Sequence, residues 1–182
     1  MRELSLNLLD IAQNSLTAGA SLIELTVEED PAADRLTLSV TDNGCGMTAE
    51  QVRRVTDPFY TTRTTRPVGM GIPLFRMAAE ATGGRLSIQS EPGRGTTVTA
   101  TFGLSHIDRL PLGDVEDTIL TLIRLNPDRD FLYRYRVGDR EFVLDTRALR
   151  EILGDVSLNT PEVVDWIDGY LREQTAEFGG TA

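Results

Sequence analysis

The sequence predicts an α+β fold with one main domain, residues 1–103, followed by a smaller α+β region, residues 104–182. Three observations support this prediction. The apolar spacing alternates between the period of helices and the period of strands, in the order α-β-β-α-α-β-β over the first 103 residues. The pattern then changes to a helix, two strands and two helices. A chain of 182 residues can bury one good core with a smaller appended region.

The first helix and the first hairpin follow from apolar spacing. Glu3–Leu16 carries apolar residues at helical intervals, and the Gly19 region ends the helix. Leu22–Val27 and Leu36–Val40 have the composition of strands. The polar segment Glu28–Arg35 between them contains a proline, which indicates a hairpin turn.

Turn and cap residues define the later elements. Thr48 is a good N-cap for a short helix through Val55, and residues 57–69 form a polar loop. Pro73 suits the first turn of the next helix. The remaining predicted elements are helix Ile72–Ala81, strands Arg85–Gln89 and Thr97–Phe102, helix Val115–Leu125, strands Phe131–Val137 and Glu141–Leu144, helix Thr146–Leu153, and a last helix from Pro161 to Glu173. In that last helix Val163, Trp166, Ile167, Tyr170 and Leu171 form an amphipathic stripe, which we expect to be buried against the preceding hairpin rather than exposed to a partner.

Composition excludes several classes of protein. All 18 basic residues are arginine, so the chain has no lysine for a Schiff base or a Walker-type phosphate loop. The net charge of −10 argues against nucleic acid as a partner. Cys45 is the single cysteine, which excludes an internal disulfide and gives no case for zinc. We expect no membrane span and no signal peptide, and therefore a cytoplasmic location.

The first helix carries a candidate site. Asn7, Asp10 and Asn14 stand at i, i+3 and i+7 and share one face. An amide oxygen is the kind of ligand that Mg²⁺ takes, and a carboxylate one turn away could deprotonate a nucleophile. The alternative is a polar face that is merely solvated.

Three further segments contain closely spaced glycines. DNGCG begins at Asp42, at a strand end, where an acid could accept a hydrogen bond from an exocyclic amine such as that of adenine; a plain turn is the alternative. Gly69-Met70-Gly71 opens a helix, whose free N–H groups favour phosphate. GRGTT, residues 93–97, is a turn into the last strand of the main domain. Each signal is weak alone.

In this order and spacing, the four segments resemble the ATP-binding domain of the GHKL superfamily, which includes DNA gyrase, chaperone ATPases, histidine kinases and mismatch-repair ATPases. The resemblance covers Glu3–Phe102 and implies the Bergerat fold, a two-layer sandwich of helices on a mixed sheet. It implies ATP and Mg²⁺ as cofactors, Asn14 as the metal ligand and Asp10 as the catalytic residue. The other residues that it implies at the nucleotide are Asp42, Gly44, Gly46, Met47, Phe59, Thr62, Arg63, Gly69, Gly71, Ile72 and Thr96.

Two departures from the family pattern concern the phosphate end. Pro73 stands where related histidine kinases usually carry a glycine. The lid of the family corresponds to Asp57–Val68 here and has no lysine, which leaves Arg63 and Arg66 as the nearby cations for the γ-phosphate, with a solvated role as the alternative.

We expect a kinase-like protein that transfers the γ-phosphate to a separate protein partner. The N box of the family corresponds to Asp10–Asn14 here and begins about ten residues from Met1, which leaves no room for a helical hairpin with a phosphoaccepting histidine. His106 is interpreted as a structural or linker residue, with autophosphorylation at this histidine as the alternative. A base such as Asp10 favours transfer to a hydroxyl, because an imidazole acceptor needs none. The alternatives are an ATP-gated sensor without transfer and a slow ATPase. Residues 104–182 are a candidate docking or dimerisation module.

Overall fold

The computed structural model describes residues 3–57 and 71–178. Within these ranges helices and strands follow the predicted order, and the α+β class is confirmed. All six strands form one mixed sheet in the order β3-β4-β2-β1-β5-β6. The elements are α1 (Leu4–Thr17), β1 (Leu22–Asp30), β2 (Arg35–Asp42), α2 (Ala49–Val55), α3 (Gly71–Glu80), β3 (Arg85–Glu91), β4 (Gly95–Gly103), α4 (Val115–Leu125), β5 (Asp130–Val137), β6 (Arg140–Asp145), α5 (Thr146–Leu153) and α6 (Pro161–Glu177).

One face of the sheet is covered by helices. In β2, Leu36, Leu38 and Val40 are buried, whereas Thr37 and Ser39 between them are only half-buried. Successive side chains of a strand point to opposite faces, so this alternation identifies the buried face. α1 packs on β1 and β2, α3 on β3 and β4, and α4 on β5, while α6 packs on α4. The predicted sandwich of helices on a mixed sheet is confirmed.

The strands beyond residue 103 extend the same sheet. β5 pairs with β1 in parallel, with Phe131 opposite Ile23 and Tyr135 opposite Val27. β6 then pairs antiparallel with β5 and forms the far edge. Buried residues from both sides of residue 103 belong to one hydrophobic cluster. The division into two domains stays a prediction, and the sheet itself is continuous across the proposed boundary.

The start of α1 is held by the segment that follows β4. Glu3 is the N-cap, but its side chain accepts no capping hydrogen bond. The Leu4 N–H donates to the Pro111 carbonyl (2.9 Å), and the Ser5 N–H donates to the Leu112 carbonyl (2.8 Å). These bonds satisfy two of the backbone donors that a helix leaves free at its N-terminus. The helix with the predicted N box is therefore anchored by residues outside the predicted ATP-binding domain.

The helices show where local sequence signals succeed and where they fail. Thr48 forms a capping box with Gln51 at the start of α2, as its position predicts. The expected burial of the amphipathic stripe in α6 is confirmed for Val163, Ile167 and Leu171 and is wrong for Trp166, which is 56% exposed and stacks on Tyr170 with ring centroids 5.4 Å apart. Ile167, on the adjacent face of α6, is fully buried instead. No helix in the described ranges is long and apolar enough to cross a membrane.

Candidate functional site

The polar residues of α1 differ in their environments. Asn7 is 1% exposed, and its side-chain oxygen has no hydrogen-bond partner among the described residues. Asp10 is half-buried, and this burial raises the pKa of its carboxyl above the ordinary 3.8. Asn14 is exposed at the same face. The alternative of a merely solvated face is wrong for Asn7. The face runs from a buried amide, through a partly desolvated carboxylate, to an amide that a ligand can reach.

The carboxylate of Asp42 is buried at the end of β2 and is held on both sides. It is 9% exposed. The Ser15 hydroxyl, from the last turn of α1, donates to Oδ2 (2.6 Å), and the Gly44 N–H donates to Oδ1 (2.8 Å). An ionised carboxylate offers about four acceptor positions. The two existing bonds therefore fix the orientation of the carboxylate and leave it able to accept a further donor.

The loop after β2 is fixed to the turn between α1 and β1. Asn43 Oδ1 accepts the backbone N–H groups of Ser21 (2.8 Å) and Leu22 (3.1 Å), and Asn43 Nδ2 donates to the Ser21 hydroxyl (2.9 Å). The Cys45 N–H donates to the Ala18 carbonyl (3.0 Å). The loop is thus hydrogen-bonded to the C-terminal end of the helix that carries the predicted metal ligand.

Two glycines let this loop approach the β3–β4 turn. Gly46 has φ of +71°, and a Cβ there would lie 1.9 Å from the Glu91 carbonyl oxygen. Gly95 has φ of +91°, and a Cβ there would lie 2.0 Å from the Asp42 carbonyl oxygen. Both the backbone conformation and the space require glycine. In the structure, the close neighbour of each of these glycines is protein backbone.

A serine connects the strands next to Asp42. Thr96 lies directly across from Asp42 in the β2–β4 ladder, and the Thr96 and Ser90 hydroxyls are 2.8 Å apart. Ser90 also donates to the Gly95 carbonyl (3.0 Å) and accepts the Met47 N–H (2.8 Å). Because Ser90 gives its one proton to Gly95, Thr96 is the donor in the pair. The Thr96 oxygen keeps its acceptor capacity.

The start of α3 faces Asp10. A Cβ on Gly71 would lie 3.3 Å from Asp10 Cβ and 3.6 Å from Asp10 Oδ2. Ile72 and Pro73 are buried in the first described turn, where proline costs no helical hydrogen bond. The free N–H groups at a helix start favour an anion. The carboxylate of Asp10 therefore lies beside a position suited to a phosphate.

A cleft of about 730 Å³ opens over the end of the sheet. Asp42 and Thr96 line it, together with Ser90 and Ile88 of the sheet and Val52 of α2. Roughly 300–1,000 Å³ is usual for a small-molecule site. Asp10, Asn14 and Gly71 are not in its lining. They form a second group on α1 and α3, and Ser15 connects the two groups because it lies next to Asn14 and bonds to Asp42.

Five predicted residues lie outside the described ranges. They are Phe59, Thr62, Arg63, Arg66 and Gly69.

Sequence reasoning missed two hydroxyl residues of the site. Ser15 lies on the buried face of α1, four residues after Ile11. Ser90 lies two residues after Ile88, on the same inner face of β3. In each case the available signal was a polar residue at a position where the helix or strand periodicity predicts an apolar one. Serine is too common in caps and turns for this signal to identify the partner.

The residues present fit the nucleotide and the magnesium ion that the resemblance implies. The buried Asp42 carboxylate offers acceptor capacity at the cleft, and Asn14 offers an exposed amide oxygen on the adjoining helix. Among the described residues, no group of three or more His, Cys, Asp or Glu could hold a metal alone. This arrangement suits Mg²⁺, which typically takes one or two protein ligands and completes its shell with phosphates and water.

A family model agrees with the first part of the chain. The model described as "Histidine kinase-, DNA gyrase B-, and HSP90-like ATPase" matches residues 1–106, which include every site residue predicted above.

Several curated proteins are similar over part of the chain. The non-motile and phage-resistance protein of Caulobacter vibrioides is 33% identical over 115 residues, covering 60% of this chain and 14% of that protein. The sensor protein kinase FleS of Pseudomonas aeruginosa is 36% identical over 109 residues, covering 60% of this chain and 26% of that protein. The putative sensor protein of Shewanella frigidimarina is 32% identical over 103 residues, covering 56% of this chain and 16% of that protein. The chain thus matches about a quarter or less of the length of each relative.

A solved structure shares the fold. The N-terminal domain of a DNA repair protein superposes with a TM-score of 0.59 at 14% identity, covering 80% of this chain and 53% of that chain. The superposition covers 80% of this chain, whereas residues 1–106 are less than two thirds of its 182 residues. The shared fold therefore includes part of the chain beyond residue 106.

Proposed function

The chain belongs to the family of histidine kinase-, DNA gyrase B- and HSP90-like ATPases, and on that premise we propose that it binds ATP with Mg²⁺ at the Asp42 cleft and transfers the γ-phosphate to a separate protein. The observation that carries the proposal is the Asp42 carboxylate. It is buried, it is oriented by Ser15 and Gly44, and it keeps acceptor capacity at the cleft.

Asp42 selects adenine over guanine. Its carboxylate only accepts hydrogen bonds when ionised, so it pairs with the exocyclic amine of adenine and opposes the carbonyl that guanine has at that position. The Thr96 oxygen is a second acceptor across the strand pair. Val52 and Ile88 provide apolar contacts for the ring. A base without a donor at this position leaves the buried Asp42 carboxylate unpaired, and the cost of that unpaired group makes the site selective.

The phosphate end is formed by α1 and α3. The Asn14 amide oxygen ligates Mg²⁺, which neutralises phosphate charge and polarises the transferred group when bound. The start of α3, at Gly71, presents free N–H groups to the phosphates. Pro73 leaves this role intact, because it lies within the first turn and removes none of the later helical hydrogen bonds.

Asp10 receives the proton of the attacking hydroxyl. Its carboxylate lies beside the start of α3, and burial raises the pKa of the carboxyl, which strengthens it as a base. A hydroxyl of a partner protein is the acceptor in this proposal, and residues 104–182 provide the docking or dimerisation surface. The site of action is the cytoplasm.

The test combines transfer and binding measurements on three matched variants. The protein is incubated with γ-labelled ATP, Mg²⁺ and the proteins that co-purify with it, and Asp10→Asn, Asp42→Asn and Asp139→Asn are compared. Asp139 is an exposed acid in the β5–β6 turn and serves as the control. Asp10→Asn abolishes transfer and keeps ATP affinity, Asp42→Asn loses affinity, and Asp139→Asn behaves as the wild type.

Other outcomes identify the alternatives. ATP binding without label transfer or phosphate release, unaffected by Asp10→Asn, is the behaviour of an ATP-gated sensor. Phosphate release without any labelled partner is the behaviour of a slow ATPase. Sedimentation with and without ATP reports whether the chain forms a homodimer.

A further inference from the structure

The turn between α1 and β1 is held from two opposite sides. On one side Asn43 and Cys45 of the DNGCG loop bond to residues 18–22, as described above. On the other side the Arg129 guanidinium donates to the Ala20 carbonyl (2.8 Å), and the Asp130 N–H donates to the Ser21 carbonyl (2.9 Å). Ser21 is therefore bonded to the DNGCG loop, residues 42–46, through its N–H and hydroxyl, and to the start of β5 through its carbonyl. This loop is called the nucleotide loop below.

The start of β5 is in turn held by α5. Arg150 Nε donates to Asp130 Oδ1 (2.8 Å), and Arg150 Nη2 donates to the Arg129 carbonyl (2.8 Å) and to the carbonyl of Pro127. The Thr146 hydroxyl also donates to Asp130 Oδ1 (3.0 Å). The Arg150 and Asp130 side chains are only 36% and 29% exposed, so this ion pair is partly shielded from solvent.

We propose that Arg150 is a positioning residue for the nucleotide loop, acting through Asp130, Ser21 and Asn43. The inference rests on the proposed function, because it names a part of the chain beyond the family match that sets the affinity of the ATP site. A partner or modification that alters α5 then alters ATP binding, and ATP binding stabilises α5 by the same free energy, since coupling between two sites is reciprocal.

The physical reason is that every connection in this series restrains backbone. Arg150 fixes two carbonyls and the Asp130 carboxylate, Asp130 fixes Ser21 through their main chains, and Asn43 fixes the loop to Ser21. Asn43 directly follows Asp42, so a shift of the turn at residues 18–22 displaces Asp42, which lines the cleft. Removing Arg150 removes its bonds to Asp130 and Arg129, while the β1–β5 and β5–β6 ladders remain intact.

Amide hydrogen exchange tests this connection without nucleotide. In Arg150→Ala, the amides of Ser21, Leu22 and Cys45 exchange at least about twofold faster, because mutations along a coupling route typically change coupling by about 0.5–2 kcal/mol. The amide of Val98, in the β2–β4–β3 ladder, is the internal reference and keeps its rate. Equal acceleration of all these amides shows general destabilisation and overturns the proposal.

Arg147→Ala is the matched control. Arg147 is on the same helix and pairs with Asp145, and it makes no hydrogen bond to residues 127–130. Its replacement leaves the exchange rates at Ser21 and Cys45 unchanged. A similar effect from both arginine variants contradicts a specific role for Arg150.

Calorimetric titration with ATP and Mg²⁺ tests the functional consequence. Arg150→Ala weakens ATP binding at least about twofold, whereas Arg147→Ala does not. In an Asn43→Ala background the Arg150 effect disappears, because the connection is already broken; full additivity of the two changes overturns the proposal.

The exchange and titration results separate the two proposals. If the wild type binds no ATP, the proposed function fails, and the exchange rates alone decide whether Arg150 positions the loop. If the wild type binds ATP but Arg150→Ala changes neither exchange nor affinity, the positioning role fails and the proposed function stands.

Discussion

Replacing Ser15 by alanine removes the hydrogen bond that orients the Asp42 carboxylate. The bond is 2.6 Å long and joins two buried groups. A hydrogen bond to a charged group contributes about 1.5–3 kcal/mol, and alanine in a helix recovers about 0.5 kcal/mol relative to serine. We therefore expect the free energy of unfolding to fall by about 1–2.5 kcal/mol.

The same change weakens ATP binding. Without Ser15 the Asp42 side chain gains freedom, which binding must remove again at about 0.5–1.5 kcal/mol. The affinity for ATP then falls about 2- to 12-fold. Urea unfolding measures the first effect, and calorimetric titration with ATP and Mg²⁺ measures the second.

Thr17→Ala is the control for both measurements. Thr17 lies on the same helix, and its exposed hydroxyl bonds only to the Gln13 carbonyl of that helix (3.0 Å). Its loss leaves ATP affinity unchanged. If Ser15→Ala and Thr17→Ala have the same unfolding free energy and the same affinity, the hydroxyl does not orient Asp42 and the reasoning is refuted.

Three further predictions use other parts of the site. Burial raises the pKa of Asp10 above 3.8 in the folded state, so its ionisation costs stability as pH rises through the interval above 3.8. Asp10→Asn therefore raises the free energy of unfolding at pH 7 while abolishing transfer. Urea unfolding below pH 3.8 shows no such gain in stability. A loss of stability at pH 7 contradicts this prediction. Gly95→Ala places a Cβ 2.0 Å from the Asp42 carbonyl oxygen and lowers thermal stability more than Gly138→Ala, which also has positive φ but no atom within 4 Å. The difference is at least about 2 kcal/mol, and equal melting temperatures count against the close approach. ATP with Mg²⁺ slows alkylation of the exposed Cys45 thiol, and an unchanged rate at saturating nucleotide places the ligand elsewhere.

Most of the fold could be predicted because each element carries its own local signal. The apolar stripe of α1, the Thr48 cap of α2 and the alternation in β2 are each specified by residues within a few positions of one another. The order of these elements and the spacing of the glycine-containing segments then identified the family. Local propensity and global fold agree in this part of the chain.

The continuation of the sheet could not be predicted in this way. β5 pairs in parallel with β1, so Phe131 and Ile23 meet although about a hundred residues separate them, and no turn connects their strands. The strand pattern of residues 131–137 is the same whether the strand joins this sheet or a separate one. For the same reason, nothing local indicates that Asp130 bonds to Ser21.

The residue types of the candidate site could be chosen from the sequence, whereas the contacts between these residues could not. The positions of Asp10, Asn14 and Asp42 follow from motif spacing, whereas the hydroxyls of Ser15 and Ser90 matter through partners on other elements. The role of Trp166 was mispredicted because an amphipathic stripe does not reveal which of its edges the neighbouring helix covers.

Calorimetric titration of ATP with Mg²⁺ into the wild type and Asp42→Asn tests the central claim most directly. For an adenine site at Asp42 we expect the wild type to bind one ATP per chain and to show no saturable binding of GTP. We expect Asp42→Asn to bind ATP at least about tenfold more weakly, which corresponds to about 1.4 kcal/mol. Equal ATP affinity in the two proteins, or no ATP binding to the wild type, contradicts the claim.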